Sequence, residues 1–78
     1  MAKTNRSTPI RKLRTEVGAR MHAARTRKHM TLRSLSERTG ISAHRLDYYE
    51  IGGHDVSLGE LDRIAKALGL SATELLMR

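Results

Sequence analysis

The sequence predicts an all-α fold, a compact domain of five helices, and three observations carry that prediction. Apolar residues recur at three- and four-residue spacing in separate stretches and never alternate over the length of a strand. Capping residues and glycines stand at the ends of those stretches. The chain has 78 residues and no cysteine, so it must be held by one modest core without disulfides. At this size roughly 60% of the chain's surface is buried, and such a core gains from a partner subunit.

Residues 1–8 are polar and basic without periodicity and are expected to form a mobile arm, with residues 9–78 as a single domain. Thr8-Pro9 offers an N-cap followed by proline at the first helical position. Ile10, Leu13, Val17, Met21 and Ala24 then make one apolar stripe, which predicts a long helix over about 9–28. Gly18 interrupts it at a cost of about 1 kcal/mol relative to alanine. A break there into arm and core helices is the alternative; the continuous helix is favoured.

Thr31 can cap a second helix over 32–39, on which Leu32 and Leu35 share a face. Gly40 follows where the chain must leave through a left-handed conformation, which costs a residue with a Cβ about 1–2 kcal/mol. Ile41 drops into the corner, and Ser42 caps a third helix opened by Ala43. On that helix Leu46 and Tyr49 face inward and leave Ala43, His44, Asp47 and Tyr48 outward. Two short helices joined by so tight a turn form a helix-turn-helix, and the outer face is shaped for a DNA major groove.

Ile51-Gly52-Gly53-His54-Asp55 reads as a loop, and Ser57-Leu58-Gly59-Glu60 has the S-x-x-E form of a capping box. Leu58, Leu61, Ile64, Ala65 and Leu68 supply the buried stripe of a fourth helix, ended by Gly69. Ser71-Ala72-Thr73-Glu74 is a second capping box, opening a short fifth helix with Leu75, Leu76 and Met77.

The net charge of +7 is unevenly placed. Residues 1–28 hold nine Lys or Arg against the single acid Glu16, while residues 29–50 are balanced and 51–78 carry one excess acid. A basic leading segment is either a solvated face or a surface for polyanions. No apolar run approaches 18 residues and no apolar signal core follows the N-terminus, so membrane and secretory readings fall away and a cytoplasmic protein, nucleoid-associated when bound to DNA, is expected. The four histidines lack a close ligand spacing, and no phosphate loop or nucleophile–base pair can be assembled; no metal, no cofactor and no enzymatic activity are expected. Two adjacent tyrosines as the sole aromatics are too few to stack single-stranded nucleic acid.

From Val17 to Leu76 the chain resembles the phage repressor and Cro type of helix-turn-helix domain, also called Xre-like. The resemblance rests on Leu35, Gly40-Ile41-Ser42, Leu46, Glu50, Gly52, Leu61, Ile64-Ala65, Leu68-Gly69 and Leu75 in this order. It departs from the family at Leu32, where a phosphate-touching glutamine is common, at Val56, where proline is usual before helix four, at Asp47 and Tyr48 on the outer face of helix three, and in the length of its basic first helix. The resemblance implies a homodimer on a palindromic operator with helix three in the major groove. It implies base contacts by Ala43, His44, Arg45 and Tyr48, and phosphate contacts around Thr31, Arg33 and Ser42. Arg45 can fork onto guanine or pair with phosphate, and both readings stand. Asp47 could accept from cytosine, but a solvated role is favoured.

The resemblance also implies a structural bridge between Arg25 and Glu50; the alternative is an exposed pair that contributes little. Of the first-helix cations, Arg20, Arg27 and Lys28 are expected at phosphates, which give affinity without sequence information. Leu70, Leu75, Leu76 and Met77 exceed what a short last helix buries alone and are read as the dimer surface, with packing inside the monomer as the alternative. The expected function is a sequence-specific double-stranded DNA-binding regulator, most simply a homodimeric, autoregulatory repressor. The competing reading is a protein-interaction adaptor or antitoxin that uses the basic first helix as its partner surface.

Overall fold

The computed structural model describes residues 10–53 and 56–77, and among them five helices follow one another without a strand. They are α1 (Ile10–Arg27), α2 (Leu32–Thr39), α3 (Ala43–Glu50), α4 (Leu58–Ala67) and α5 (Ala72–Met77). The expected arm over 1–8, the Thr8-Pro9 start and the His54-Asp55 part of the loop lie outside the described residues.

α1 runs unbroken through Gly18, and the packing explains why a weak helix former stands there. A Cβ at Gly18 would lie 2.2 Å from the Tyr49 carbonyl oxygen and 2.6 Å from that of Glu50. The backbone of α1 therefore crosses directly against the last turn of α3, an approach open only to a residue without a side chain. At its other end α1 stops without glycine. His29 takes the left-handed conformation at φ 58°, and the Met30 amide donates to the Arg25 carbonyl at 3.1 Å, closing the helix as a Schellman motif.

α1 packs on α3 and α5, α2 on α3 and α4, and α4 on α5, so each helix closes one side of a single core. Val17, Met21 and Ala24 come from α1, Leu35 from α2, Ile41 from the turn, and Leu46 and Tyr49 from α3. Leu61, Ile64, Ala65, Leu68 and Leu75 complete it. Each large apolar side chain fully buried here contributes about 2 kcal/mol.

Two apolar expectations are corrected. Leu58 is 75% exposed, because the first turn of α4 extends beyond the core, whose α4 members begin at Leu61. Leu13, 40% exposed, also lies outside the core, one turn before Val17, the first core residue of α1 among the described residues.

The two S-x-x-E sequences also diverge. At α5 the box is reciprocal: the Glu74 amide donates to Ser71 Oγ at 3.2 Å and the Ser71 amide to Glu74 Oε1 at 2.8 Å. At α4 only half forms, with the Glu60 amide donating to Ser57 Oγ at 3.1 Å. The Glu60 carboxylate is turned to another task.

Candidate nucleic-acid interface

The corner between α2 and α3 is fixed by side chains as well as by glycine. Thr31 Oγ1 accepts from the Ser34 amide at 2.9 Å and starts α2. Gly40 sits at φ 76° with its amide donating to the Ser36 carbonyl, ending the helix. The buried Thr39 hydroxyl donates to the Leu35 carbonyl at 2.9 Å and accepts from the Ile41 amide at 3.2 Å, tying the helix end to the turn. Arg63 reaches from α4 and donates to the Thr39 carbonyl at 2.9 Å, satisfying an acceptor the helix leaves open. Ser42 Oγ then accepts from the Arg45 amide at 3.1 Å, so α3 departs in a defined direction.

α3 has two unlike faces. Leu46, Tyr49 and Glu50 are buried, whereas Ser42, His44, Arg45, Asp47 and Tyr48 are exposed and Ala43 is half-buried. His44 and Tyr48, one turn apart, meet edge to face with ring centroids 5.0 Å apart. The exposed face thus offers an imidazole, a guanidinium, a carboxylate and a phenol within two helical turns, and the helix cannot roll because its other side is sealed in the core.

The α1 edge of α3 is closed by an ion pair. Arg25 Nε donates to Glu50 Oε2 at 2.6 Å and Nη2 to Oε1 at 3.0 Å, while Nη1 donates to the Met30 carbonyl at 2.8 Å. His22 Nδ1 lies 2.9 Å from Glu50 Oε1. Burial pushes the Glu50 carboxyl up, but the hydrogen bonds from Arg25 and His22 outweigh it and hold the group below its ordinary value. The bond to Glu50 raises the Arg25 guanidinium in turn.

The α4 edge carries a second cluster. Arg45 Nε donates to the Tyr49 hydroxyl at 2.6 Å and lies 3.4 Å from Glu60 Oε2, and the Tyr49 hydroxyl donates to Glu60 Oε1. Burial, reinforced by the hydrogen bond to Glu60, pushes the Tyr49 phenol up. Its bond to Tyr49 and the nearby Glu60 charge raise the Arg45 guanidinium further.

The cations expected at phosphates, Arg20, Arg27 and Lys28, lie on the side of α1 that meets α4 and α5. Arg20 Nη1, on a residue expected at phosphate, donates to the Leu75 and Leu76 carbonyls at 2.9 and 3.0 Å and so caps the end of α5. Arg27 lines a groove with Arg20, Leu70 and Glu74, and the Lys28 ammonium lies over the α4–α5 turn beside Gly69. The cause is the double contact of α1. Positions 18, 22 and 25 face α3, while 20 and 27, seven residues apart, fall on the α5 flank. Thr31 and Arg33 are exposed on α2, Arg33 with Glu37 at 3.7 Å.

The expected dimer surface is also redrawn. Leu75 is 1% exposed and belongs to the monomer core, because α5 folds back onto α1 and α4. Leu70 and Leu76 are half-buried and Met77 is open to solvent. Sequence reasoning missed four residues of the site's support: His22, Arg63, Glu60 and the hydroxyl of Tyr49. Arg45 and Tyr49 stand at i, i+4, and an acid on the following helix was the available signal for that cluster.

Among the described residues no group of three or more His, Cys, Asp or Glu side chains is placed to hold a metal, and no helix is long and apolar enough to cross a membrane.

The model of the helix-turn-helix domain family matches residues 16–76. The clp gene regulator ClgR from Corynebacterium glutamicum is 35% identical, aligned over 83% of this chain and 69% of its own, with a TM-score of 0.80. The restriction-modification controller protein C.AhdI from Aeromonas hydrophila is 27% identical over 80% of this chain and 94% of its own, with a TM-score of 0.77. The BldD DNA-binding domain from S. venezulae is 27% identical over 83% and 97% of the two chains, with a TM-score of 0.73. No curated protein sequence matches the chain.

Proposed function

Because this chain belongs to the helix-turn-helix domain family, and is of the phage repressor and Cro type, we propose that it is a sequence-specific double-stranded DNA-binding regulator of transcription. One observation carries the reading: α3 is sealed on one face by Leu46 and Tyr49 and presents His44, Arg45, Asp47 and Tyr48 on the other. The names of similar structures, a gene regulator, a controller protein and a DNA-binding domain, support it.

In this reading α3 enters the major groove. Ala43 touches a thymine methyl, His44 and Tyr48 meet base edges, and the free end of Arg45 forks onto guanine O6 and N7. Thr31, Arg33 and Ser42 contact phosphates, while Arg27, Lys28 and the basic arm over residues 1–8 add sequence-independent attraction. Residues 9–78 act as one domain. Two copies meet through Leu70, Leu76 and Met77 and bind a palindromic operator, and occupancy represses, including at the protein's own promoter. The protein is a binding module and not an enzyme, acting in the cytoplasm at the nucleoid.

Selection of bound duplexes from a random pool, followed by mobility shifts at two salt concentrations, tests the reading. The selected duplex is expected to bind at least about 1,000-fold more tightly than a scrambled one. The double substitution His44→Ala, Arg45→Ala is expected to abolish that preference while the thermal midpoint stays within a few degrees. Unchanged selectivity in the double variant refutes the assignment of α3.

A further inference from the structure

The Arg45–Tyr49–Glu60 cluster is more than a fastening between α3 and α4. Glu60 lies three residues after the Ser57 cap, where its carboxylate could close a capping box as Glu74 does for Ser71. It instead takes the Tyr49 hydroxyl and faces Arg45, with its side chain only 15% exposed. Arg45 remains 59% exposed on the outer face. Its Nε is occupied by Tyr49, and neither Nη has a hydrogen-bond partner among the described residues.

We propose that Glu60 is a positioning residue for base reading: through Tyr49 it holds the Nε end of Arg45 and compensates its charge, so that Arg45 meets DNA as an oriented fork rather than as a free cation. The proposal rests on the reading that α3 binds duplex DNA. Two physical consequences follow. Holding Nε fixes the direction in which the planar guanidinium points its two terminal nitrogens, the pair that matches guanine O6 and N7, so that less side-chain freedom is forfeited on binding. A carboxylate 3.4 Å from the cation also weakens its attraction to any passing phosphate, which carries no sequence information, and leaves the paired base acceptors as the favoured target. Glu60 thus trades general affinity for discrimination.

Glu60→Gln tests this, since glutamine keeps an acceptor for the Tyr49 hydroxyl and removes only the charge. Binding to scrambled duplex is expected to tighten about 5-fold, and its log–log salt dependence to steepen by about 0.9, the value of one added phosphate contact. The ratio of selected to scrambled affinity is expected to fall about 10-fold. In an Arg45→Ala background Glu60→Gln should leave that ratio unmoved. Asp62→Asn, the same charge change on an exposed residue of α4 paired with Lys66, should spare it as well. Tyr49→Phe, which removes the hydroxyl but keeps the Glu60 charge, should lower the ratio without steepening the salt dependence, and serves if the glutamine variant does not fold.

A ratio unchanged by Glu60→Gln, or lowered equally in the Arg45→Ala background, overturns the positioning role while the DNA-binding reading survives. A wild-type protein indifferent to sequence overturns that reading itself, and the positioning role with it.

Discussion

Two arginine–glutamate pairs bracket α3, and they differ in how many donors each arginine has spent. At the α1 junction Arg25 is 12% exposed and Glu50 4%, and all three guanidinium nitrogens of Arg25 have protein acceptors. At the α4 junction Glu60 is nearly as buried, yet Arg45 is 59% exposed with only Nε engaged. The same ion-pair chemistry therefore yields a fastener in one place and a held but open probe in the other. Saturation of the donors decides which.

The largest expected effect is on the fastener. Glu50→Ala leaves Arg25 partly buried without its acid and should cost about 3 kcal/mol, at the low end for a buried pair because His22 beside it is 57% exposed. In a domain of this size that lowers the thermal midpoint by about 15 °C. Arg45→Ala should lower it far less, because Glu60 keeps the Tyr49 hydroxyl as a donor. Equal losses from both variants would erase the distinction.

Gly18→Ala comes next and sharpens the geometry of the same junction. Alanine is the better helix former by about 1 kcal/mol, yet its Cβ would stand 2.2 Å from the Tyr49 carbonyl oxygen. The clash should dominate, with a net loss of about 2 kcal/mol by chemical denaturation. Gly59→Ala, on α4 with nothing within 4 Å of its Cβ, should instead stabilise by about 0.5 kcal/mol.

The smallest effect is in pH. Glu50 is held below its ordinary carboxylate value, so the folded state favours the ionised form. Its contribution is complete above the unfolded value near about 4.3 and is lost as pH falls through the lower folded one. Thermal midpoints of the wild type should be level in this respect from pH 7 to about 5 and decline below about 4, and Glu50→Gln should blunt that decline. A stability lost instead as pH rises would contradict the pair as described.

Much of this was legible in the residues. Gly40-Ile41-Ser42 placed the corner between α2 and α3 because a left-handed exit, an apolar corner and a cap each need a particular residue type. Local chemistry of that kind is written in sequence. Which flank of a helix meets which neighbour is not: the Arg25–Glu50 bridge came from the resemblance, whereas Arg20 read as one more phosphate-facing cation, and only the packing of α1 on α5 sends it to the α5 carbonyls. Leu58 and Leu75 exchange expected environments for the same reason, since a stripe shows that a face is apolar and not where the core stops. Glu60 was hidden by a local motif that fitted it equally well. The Gly18 ambiguity was likewise a tertiary contact seen as a local cost.

The central claim is that the outer face of α3 reads paired bases. It is tested most directly by amide chemical-shift mapping of the chain against its selected duplex. The largest changes are expected over residues 42–48, with Leu70, Leu76 and Met77 little moved. Changes centred on α5 or the Arg20–Arg27 flank of α1, with 42–48 undisturbed, would contradict it.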